Sequence, residues 1–361
     1  MFADEEYPAA PYPGRRPPGS FVHDDATGWD LTADPAALSG WRVDGRDLDD
    51  WLAARDAPPL ADRVPVLCYG SNVCPSKITW LRTALGMTGP AVLLTARCTG
   101  LAAVWASGLR VVDTQRPATL AALPGNVEDH AVWLATQDQV AVLDRCEGRG
   151  ERYHLARVDT GAVRLTNGTL VDGPLAYTAA APRRMPLLVD GRPVRCADVP
   201  QSGAAALTGV PADTDGLTVR EISGAPAPED FPGRVFVYGT LQPTASDWWR
   251  LEPHAGQTYE ARIPGVLYDT GLGYPALRPG TGPGVAGWVV HLAEPARVLS
   301  ELDDYEGTEY RRTRIALPGG LPCWTYVWVD SVEGLRILTA PWGGVEPVSE
   351  VRAWPDMTDS V

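Results

Sequence analysis

Two parts of the chain each contain a Tyr-Gly turn and, further along, a glutamate followed by glycine. A glutamate and a glycine turn together are suited to moving protons on a bound ligand. A Tyr-Gly-Ser or Tyr-Gly-Thr turn follows an apolar run at 69–71 and again at 238–240. A Leu-Asp-x-x-Glu-Gly segment comes later in each copy, at 143–148 and 302–307. Similar lengths of chain separate the tyrosine from the glutamate, 147 − 69 = 78 and 306 − 238 = 68 residues. An internal repeat of this kind predicts two related structural units.

The glutamates of these segments, Glu147 and Glu306, are the candidate proton carriers. The apolar spacing before each one predicts a helix, and the glycine that follows is the usual helix stop. The helix macrodipole disfavours negative charge at that end, and apolar neighbours add a desolvation cost. Both effects raise the pKa of a carboxyl group toward neutrality, which suits general acid–base catalysis. A solitary glutamate at a helix end is more often simply solvated. Because Glu147 and Glu306 recur at the same place in both copies, a functional role is favoured.

The Tyr-Gly-Ser/Thr turns are candidate binding elements. Glycine lets the backbone approach a ligand closely, so that backbone N–H groups can converge on a ligand oxygen. Ser71 and Thr240 are candidate nucleophiles, but no histidine holds a matching position in both copies, which disfavours a Ser-His-Asp hydrolase. Cys68 and Cys146 have no cysteine at the equivalent positions, so we interpret them as small buried apolar residues.

The composition limits the classes of function. The 361 residues carry a net charge of −14, which disfavours nucleic acid and anionic membranes as partners, because both attract basic surfaces. No apolar run approaches the roughly 18 residues of a membrane span. The six cysteines form no C-x-x-C pair, and the acidic, proline-rich N-terminus is unlike a signal peptide. These features predict a cytoplasmic protein without a metal site.

The chain divides into three parts. Residues 1–28 are rich in proline, glycine and charge without apolar periodicity, which predicts a disordered tail. Residues 224–233 have the composition of a linker, which places a first domain at 62–222 and a second at 233–345. Residues 180–222 have no clear counterpart in the second unit. Short strands around one main helix in each unit predict an α+β fold made of two tandem small mixed β-barrels.

In order along the chain, these motifs resemble those of a known enzyme family. The first unit resembles γ-glutamylcyclotransferases at Tyr69-Gly70-Ser71-Asn72 and Glu147-Gly148. The second unit is similar to the γ-glutamylamine cyclotransferase and AIG2-like branch at Tyr238-Gly239-Thr240-Leu241, Gly273-Tyr274-Pro275-Ala276-Leu277 and Asp304-Tyr305-Glu306-Gly307. The resemblance covers about 62–180 and 233–330, and it implies barrels of the γ-glutamylcyclotransferase-like type.

The resemblance implies a reaction in which the substrate supplies its own nucleophile. In that family a glutamate is the acid/base that turns a γ-glutamyl amide into 5-oxoproline and a free amine, without a cofactor. Carried over, Glu306 would take a proton from the substrate α-amine as this amine attacks the γ-carbonyl, and would then protonate the leaving nitrogen. Glu147 would be its counterpart. The implied substrate-binding residues are Tyr238, Gly239, Thr240, Leu241, Tyr274, Tyr310 and Tyr326, with Tyr69, Gly70, Ser71, Asn72 and Tyr153 in the first unit.

Several alternatives stay open at this point. The first unit departs from the family pattern, with Val73 in place of leucine and extra charge from Arg149 to Arg152, so one or both sites could be active. The second unit keeps the fuller motif set, which favours Glu306 as the main catalyst. A non-catalytic small-molecule-binding or interaction module is the alternative function, and a γ-glutamyl hydrolase is a third. The tyrosines are equally compatible with the barrel core, and the leaving amine and the oligomeric state are not specified.

Overall fold

The fold is α+β, as predicted. The computed structural model describes residues 1–343, which form a ten-stranded sheet, a five-stranded sheet and three sheets of three strands, with five α-helices. Neighbouring residues of the central strands enter different apolar clusters: Val66 and Leu67 in the larger sheet, Val235 and Phe236 in the smaller. This period of two gives each of these sheets a buried cluster on both faces.

The first third of the chain supplies the edge of the larger sheet and a small sheet of its own. Its elements are β1 (Phe2–Ala3), β2 (Phe21–Asp24), β3 (Thr27–Asp30), β4 (Thr32–Ala33), β5 (Trp41–Val43), β6 (Arg46–Asp47), α1 (Leu48–Ala53), β7 (Val64–Cys68), α2 (Pro75–Leu85) and β8 (Ala91–Trp105). Strands β4, β5 and β6 form one of the three-stranded sheets.

The middle of the chain completes the larger sheet. Its elements are β9 (Ala118–Ala135), α3 (Gln137–Glu147), β10 (Tyr153–Val158), β11 (Ala162–Leu165), β12 (Leu175–Ala179), β13 (Leu187–Val189), β14 (Arg192–Pro193), α4 (Gln201–Ala204), β15 (Val210–Pro211) and β16 (Val219–Glu221). The segment 180–222, which has no counterpart in the repeat, contains the small sheet β14-β13-β15 and the edge strand β16, which pairs with β10.

The last part of the chain forms the smaller sheet. Its elements are β17 (Arg234–Val237), β18 (Ala255–Ile263), β19 (Gly265–Asp269), β20 (Pro275–Pro279), β21 (Val285–Leu292), α5 (Pro295–Glu306), β22 (Tyr310–Ala316), β23 (Pro322–Trp328) and β24 (Arg336–Ile337). The last two residues of the predicted second domain, 344 and 345, lie outside the described residues. No helix within residues 1–343 is long and apolar enough to cross a membrane.

The two larger sheets share a strand order. The neighbours β8-β9-β7-β12-β10 of the ten-stranded sheet correspond to β18-β21-β17-β23-β22 of the five-stranded sheet. The strand before each Tyr-Gly turn is antiparallel to one neighbour and parallel to the other, with Val66 opposite Leu175 and Val235 opposite Trp324. The two turns therefore leave their sheets at corresponding points. Closure of each sheet into a barrel stays a prediction.

Residues 1–28 are ordered, so the prediction of a disordered tail is wrong. Strands β1, β3 and β2 form the edge of the ten-stranded sheet, where β2 pairs with β8. The segment before β2 lies against α2, because the hydroxyl of Ser76 donates to the carbonyl oxygens of Asp4 and Tyr7 at 2.9 and 2.7 Å. Phe21 and Tyr12 are buried. Composition misses this order because the few apolar residues of the segment fill gaps in a core built by later residues.

The first unit contains two main helices, where one was predicted. Helix α2 begins at Pro75, whose fixed φ suits a first helical turn, and it buries Ile78 and Leu81. It ends where Gly86 takes a φ of +70°. The second unit has no α-helix at this point, so the repeat gave no reason to expect one. Helix α3 is the predicted helix; it begins with a capping box between Thr136 and Gln139 and ends at Glu147.

The guanidinium of Arg314, on β22, connects the two larger sheets through the linker. It donates to the carbonyl oxygens of Leu60 at 2.5 Å and Arg63 at 2.7 Å, just before β7. It also donates to the carbonyl oxygen of Phe231 in the linker at 2.6 Å. Backbone oxygens from these parts of the chain thus surround one half-buried cation, which fixes where β22 lies relative to β7.

Candidate active site

Helix α5 carries Glu306 to the edge of the core of the second unit. Val298, Leu299 and Leu302 are buried on one helix face and pack against the five-stranded sheet. The helix ends at Glu306, as predicted, because Gly307 takes a φ of +65° that a side chain rarely allows. A packed helix thus fixes the position of a glutamate at its last turn.

A chain of hydrogen bonds holds the Tyr-Gly turn beside that helix. The hydroxyl of Tyr238 donates to the carbonyl oxygen of Tyr326 on the parallel strand β23, at 2.6 Å. The hydroxyl of Tyr326 donates in turn to the carboxylate of Asp303 on α5, at 2.7 Å. Both tyrosines are buried. Their hydroxyls therefore tie strand, turn and helix together, and their rings are left to face the pocket.

The predicted residues of the second unit line one pocket of about 220 Å³. They are Tyr238, Gly239, Thr240, Leu241, Tyr274, Glu306, Tyr310 and Tyr326. The lining also includes Pro275, Tyr305 and Glu309, which were not predicted as site residues, and the end of β17. Glu306 and its Tyr-Gly turn thus face a common space although 68 residues separate them in sequence (306 − 238).

The pKa of Glu306 lies far from its ordinary value. Burial raises this pKa from 4.5 to about 8, and repulsion from the carboxyl groups of Asp247 and Asp303 adds to the effect. Part of the residue surface stays open to the pocket, but protein atoms surround most of the carboxyl group. The direction agrees with the desolvation expected from the sequence. A carboxyl group with a pKa near 8 can both accept and release a proton near neutral pH.

Tyrosine hydroxyls order the rest of the pocket wall. Tyr274 donates to the carboxylate of Glu309 at 2.8 Å, and Tyr310 donates to the carbonyl oxygen of Pro275 at 2.9 Å. The hydroxyl groups of Tyr305 and Thr240 lie 3.1 Å apart. Thr240 is thus paired with a tyrosine, and neither a histidine nor a cysteine lines this pocket. The wall offers aromatic faces and carboxyl groups around the glycine turn.

The first unit repeats the scaffold of the second. The hydroxyl of Tyr69 donates to the carbonyl oxygen of Tyr177 on the parallel strand β12, and the hydroxyl of Tyr177 donates to Asp144 on α3 at 2.7 Å. Tyr153 donates to the carbonyl oxygen of Ala118 at 3.1 Å, as Tyr310 does to Pro275. Strand, turn and helix are therefore held together in the same way by the predicted Tyr69 and Tyr153 and by Tyr177, which was not predicted as a site residue.

The predicted turn of the first unit lies at its glutamate, but the surroundings differ. The side-chain amide of Asn72 donates to Glu147 at 2.9 Å, and Ser71 begins a single helical turn that runs to Val73. The hydroxyl of Tyr12 lies over Gly70, so close that a Cβ atom on this glycine would be 2.9 Å from it. The structure thus brings the predicted residues together, with part of the N-terminal segment on top of them.

Sequence reasoning missed residues that line the second pocket, and it also missed Asp247, which is outside the lining and raises the pKa of Glu306. Tyr305 and Glu309 flank Glu306 in the sequence, so their positions alone could have indicated them. Asp247 follows β17 in a loop without a counterpart in the first unit, and no motif pointed to it. Within residues 1–343, no group of three or more His, Cys, Asp or Glu side chains is arranged to hold a metal ion.

The chain is similar to several solved structures. It is 23% identical to an AIG2-like protein from Mus musculus over 28% of this chain and 80% of that one, with a TM-score of 0.22. It is 31% identical to ytfP from Escherichia coli over 30% of this chain and 95% of that one, with a TM-score of 0.23. It is 11% identical to YkqA from Bacillus subtilis over 86% of this chain and 85% of that one, with a TM-score of 0.24.

A family model matches the part of the chain that forms the second pocket. Curated proteins give no significant match. Residues 235–343 match the model described as gamma-glutamyl cyclotransferase, AIG2-like. The matched segment begins in β17 and contains the Tyr-Gly turn, α5 and every residue that lines the pocket. Residues 235–343 are therefore similar to the AIG2-like gamma-glutamyl cyclotransferase family, and the match covers 109 of the 361 residues.

Proposed function

We propose that the second pocket converts a γ-glutamyl amide into 5-oxoproline and a free amine, with Glu306 as the general acid and base. One observation carries the proposal: a carboxyl group with a pKa of about 8 faces the same small pocket as a glycine turn. The AIG2-like family match supports the reaction class. The proposal explains why a pocket without a histidine or cysteine could still perform acyl transfer.

The reaction follows from the geometry of the substrate and one proton carrier. The ionised Glu306 takes a proton from the substrate α-amino group, and the nitrogen attacks the γ-carbonyl carbon to form the five-membered ring. The negative charge that develops on the carbonyl oxygen is stabilised by backbone N–H groups of the turn 238–241, as in an oxyanion hole. Glu306 then returns the proton to the leaving nitrogen, and the amide C–N bond breaks. The carboxyl group ends the cycle ionised, as it began.

The size of the pocket agrees with a small acyl group. A volume of about 220 Å³ is below the roughly 300–1,000 Å³ of pockets that enclose drug-sized ligands. We therefore expect the γ-glutamyl group to be enclosed beside Glu306 and the amine to extend toward the opening. Enclosure also aligns the α-amine with the γ-carbonyl, and such alignment lowers the entropic cost of ring closure.

The proposal is tested with purified protein and a panel of γ-glutamyl amides, with 5-oxoproline as the measured product. Glu306→Gln should lower kcat by about 10²-fold to 10⁴-fold, because it removes the proton carrier and keeps the shape. The matched control is Glu301→Gln on the same helix, an exposed residue that pairs with Arg297 and should leave kcat unchanged. Glu147→Gln should cause a smaller loss than Glu306→Gln.

The products distinguish the alternatives. Release of free glutamate instead of 5-oxoproline would identify a hydrolase. Binding of γ-glutamyl amides without release of either product would identify a non-catalytic binding module. A full loss of turnover in Glu147→Gln, with Glu306→Gln active, would move the reaction to the first unit and refute the assignment made here.

A further inference from the structure

The loop between β17 and β18 brings a second carboxylate to the glutamate of the second pocket. The backbone N–H of Asp247 donates to the carbonyl oxygen of Thr240 at 3.0 Å, which fastens the loop to the Tyr-Gly turn. After burial, repulsion from the Asp247 carboxylate is the largest contribution to the raised pKa of Glu306. In the first unit the stretch after the turn contains α2 instead, and Glu147 accepts a hydrogen bond from the amide of Asn72. The loop therefore distinguishes the surroundings of the two glutamates.

The carboxylate of Asp247 stays near Glu306 although two carboxylates repel each other. One of its oxygens, Oδ2, accepts from the hydroxyl of the neighbouring Ser246 at 2.9 Å. The other, Oδ1, lies 3.9 Å from Nε of Arg250. Like charges disfavour each other's ionised form, so a carboxylate held at this place needs a favourable partner. Arg250 supplies the positive charge at Asp247.

Arg250 is itself fixed by two aromatic rings. Its guanidinium carbon lies 4.4 Å from the ring centre of Trp249 and 4.3 Å from that of Tyr305. Distances of this kind give an attractive cation–π contact. Tyr305 is on α5 directly before Glu306, and it lines the pocket. The contact of Arg250 with Tyr305 therefore joins the loop to the helix that carries the proton carrier.

The other titratable groups that face Glu306 are held by contacts outside this loop or carry no charge. They are the carboxyl groups of Asp303 and Glu309 and the hydroxyl groups of Tyr238, Tyr305, Tyr310 and Tyr326. Burial raises the pKa of each of these hydroxyls, so they stay neutral where Glu306 titrates. The carboxyl group of Asp303 pairs with Arg312 on β22 at 3.0 Å. A change at Arg250 therefore alters the charge around Glu306 through Asp247.

We propose that Arg250 is a positioning residue of the second site, which holds the carboxylate of Asp247 beside Glu306 and so sets how strongly Glu306 binds its proton. Without Arg250, repulsion turns the Asp247 carboxylate toward solvent, and Glu306 becomes a weaker base. A weaker base takes a proton from the substrate amine less readily. The inference rests on the proposed function in one respect, because that function makes Glu306 the proton carrier.

The test is a carbon-13 NMR titration of the glutamate side chains, in which the Glu306 signal is the one that Glu306→Gln removes. Asp247→Asn should lower the pH at which this signal titrates, and Arg250→Gln should lower it by the same amount. The double variant should titrate like Asp247→Asn alone, because no carboxylate is left for Arg250 to hold. Arg250→Lys keeps the positive charge and should restore most of the shift.

The matched control is Arg55→Gln. Arg55, which follows α1, also packs on a tryptophan ring, with 3.4 Å to the ring centre of Trp51, and it lies 3.7 Å from the carboxylate of Asp24. This variant should leave the titration of Glu306 unchanged. A midpoint that rises in Arg250→Gln would show that Arg250 only shields the charge of Asp247, and it would overturn the proposal. So would an unchanged midpoint, or a further fall in the double variant.

Steady-state kinetics on a γ-glutamyl amide give a second measurement. The pH–rate profile of kcat/KM in Arg250→Gln should move to lower pH together with the NMR midpoint. A raised KM with an unmoved profile would make Arg250 a substrate-binding residue and would also overturn the proposal. The NMR titration needs no turnover, so the two proposals can fail separately. Shifted titrations in a protein that releases no 5-oxoproline would support the role of Arg250 and refute the proposed function.

Discussion

Glu306→Gln should stabilise the protein at alkaline pH, because the wild type must hold an ionised carboxyl group in an enclosed site. The pKa of this group is about 8 in the folded protein, against an ordinary value of 4.5. A raised pKa means that the folded state binds the proton more tightly than the unfolded state. Protonated Glu306 therefore contributes its full stabilisation of the folded state below pH 4.5, and this stabilisation is lost as the pH rises through 8. Glutamine does not ionise and lacks this dependence.

The size of the effect follows from the two pKa values. They differ by about 3.5 (8 − 4.5), and each pKa unit corresponds to about 1.36 kcal/mol, which gives roughly 5 kcal/mol above pH 8. Water in the open part of the pocket screens the charge, so the full figure is an upper value. We expect about half of it, on the order of 2 kcal/mol at pH 8, and close to zero at pH 4.5.

Urea unfolding of the wild type and Glu306→Gln at a series of pH values measures this difference. The free energy of unfolding of the wild type should fall relative to the variant between about pH 5 and pH 8. The control variant Glu301→Gln should run parallel to the wild type, because that carboxyl group is exposed. Parallel curves for the wild type and Glu306→Gln, or a less stable variant at pH 8, would refute the enclosure of Glu306 on which the proposed mechanism depends.

Three further outcomes are expected from the same structure. In a pH–rate profile, kcat/KM should rise with pH through about 8, the pKa of Glu306. Asp247→Asn should move this rise to lower pH, because it removes a repelling carboxylate. An unmoved profile would show that Asp247 does not act on the carboxyl group of Glu306. Gly239→Ala should lower kcat/KM about tenfold in steady-state kinetics, because its Cβ would lie 3.1 Å from Pro275 in the pocket wall, and unchanged kinetics would place the substrate elsewhere. Arg314→Met should lower the free energy of unfolding by about 3 kcal/mol in urea titrations, because three backbone carbonyl oxygens lose their hydrogen-bond donor. An unchanged free energy of unfolding would contradict the role of Arg314 in connecting the two larger sheets.

The second site could largely be predicted from the sequence because its parts are short local motifs that each imply one backbone conformation. Gly307 ends α5 at a positive φ, and this fixes Glu306 as the last helical residue. The apolar run before Tyr238 predicts a buried strand that ends in a turn, and the structure has that strand. Their meeting in one pocket needs only the parallel pairing of β17 and β23.

The N-terminal segment could not be predicted because its order depends on surfaces that other residues build. Tyr12 lies between two prolines without any apolar periodicity, and its burial comes from Trp105 and the first glycine turn. Asp247 raises the pKa of Glu306 from a loop that no periodicity describes. In both cases a residue outside regular secondary structure meets a distant part of the chain, so no local pattern predicts the contact.

The two units show that a repeated motif can record a shared scaffold rather than a shared reaction. In both, the tyrosine of the Tyr-Gly turn donates to the next strand, and a tyrosine there donates to the aspartate of Leu-Asp, as in the Tyr238, Tyr326 and Asp303 series. Packing alone is enough to retain these residues in each copy. The recurrence of Glu147 is therefore weak support for catalysis, and the assignment of Glu306 depends on its open pocket and raised pKa. Enzymatic activity in such repeats has to be argued for each glutamate from its own surroundings.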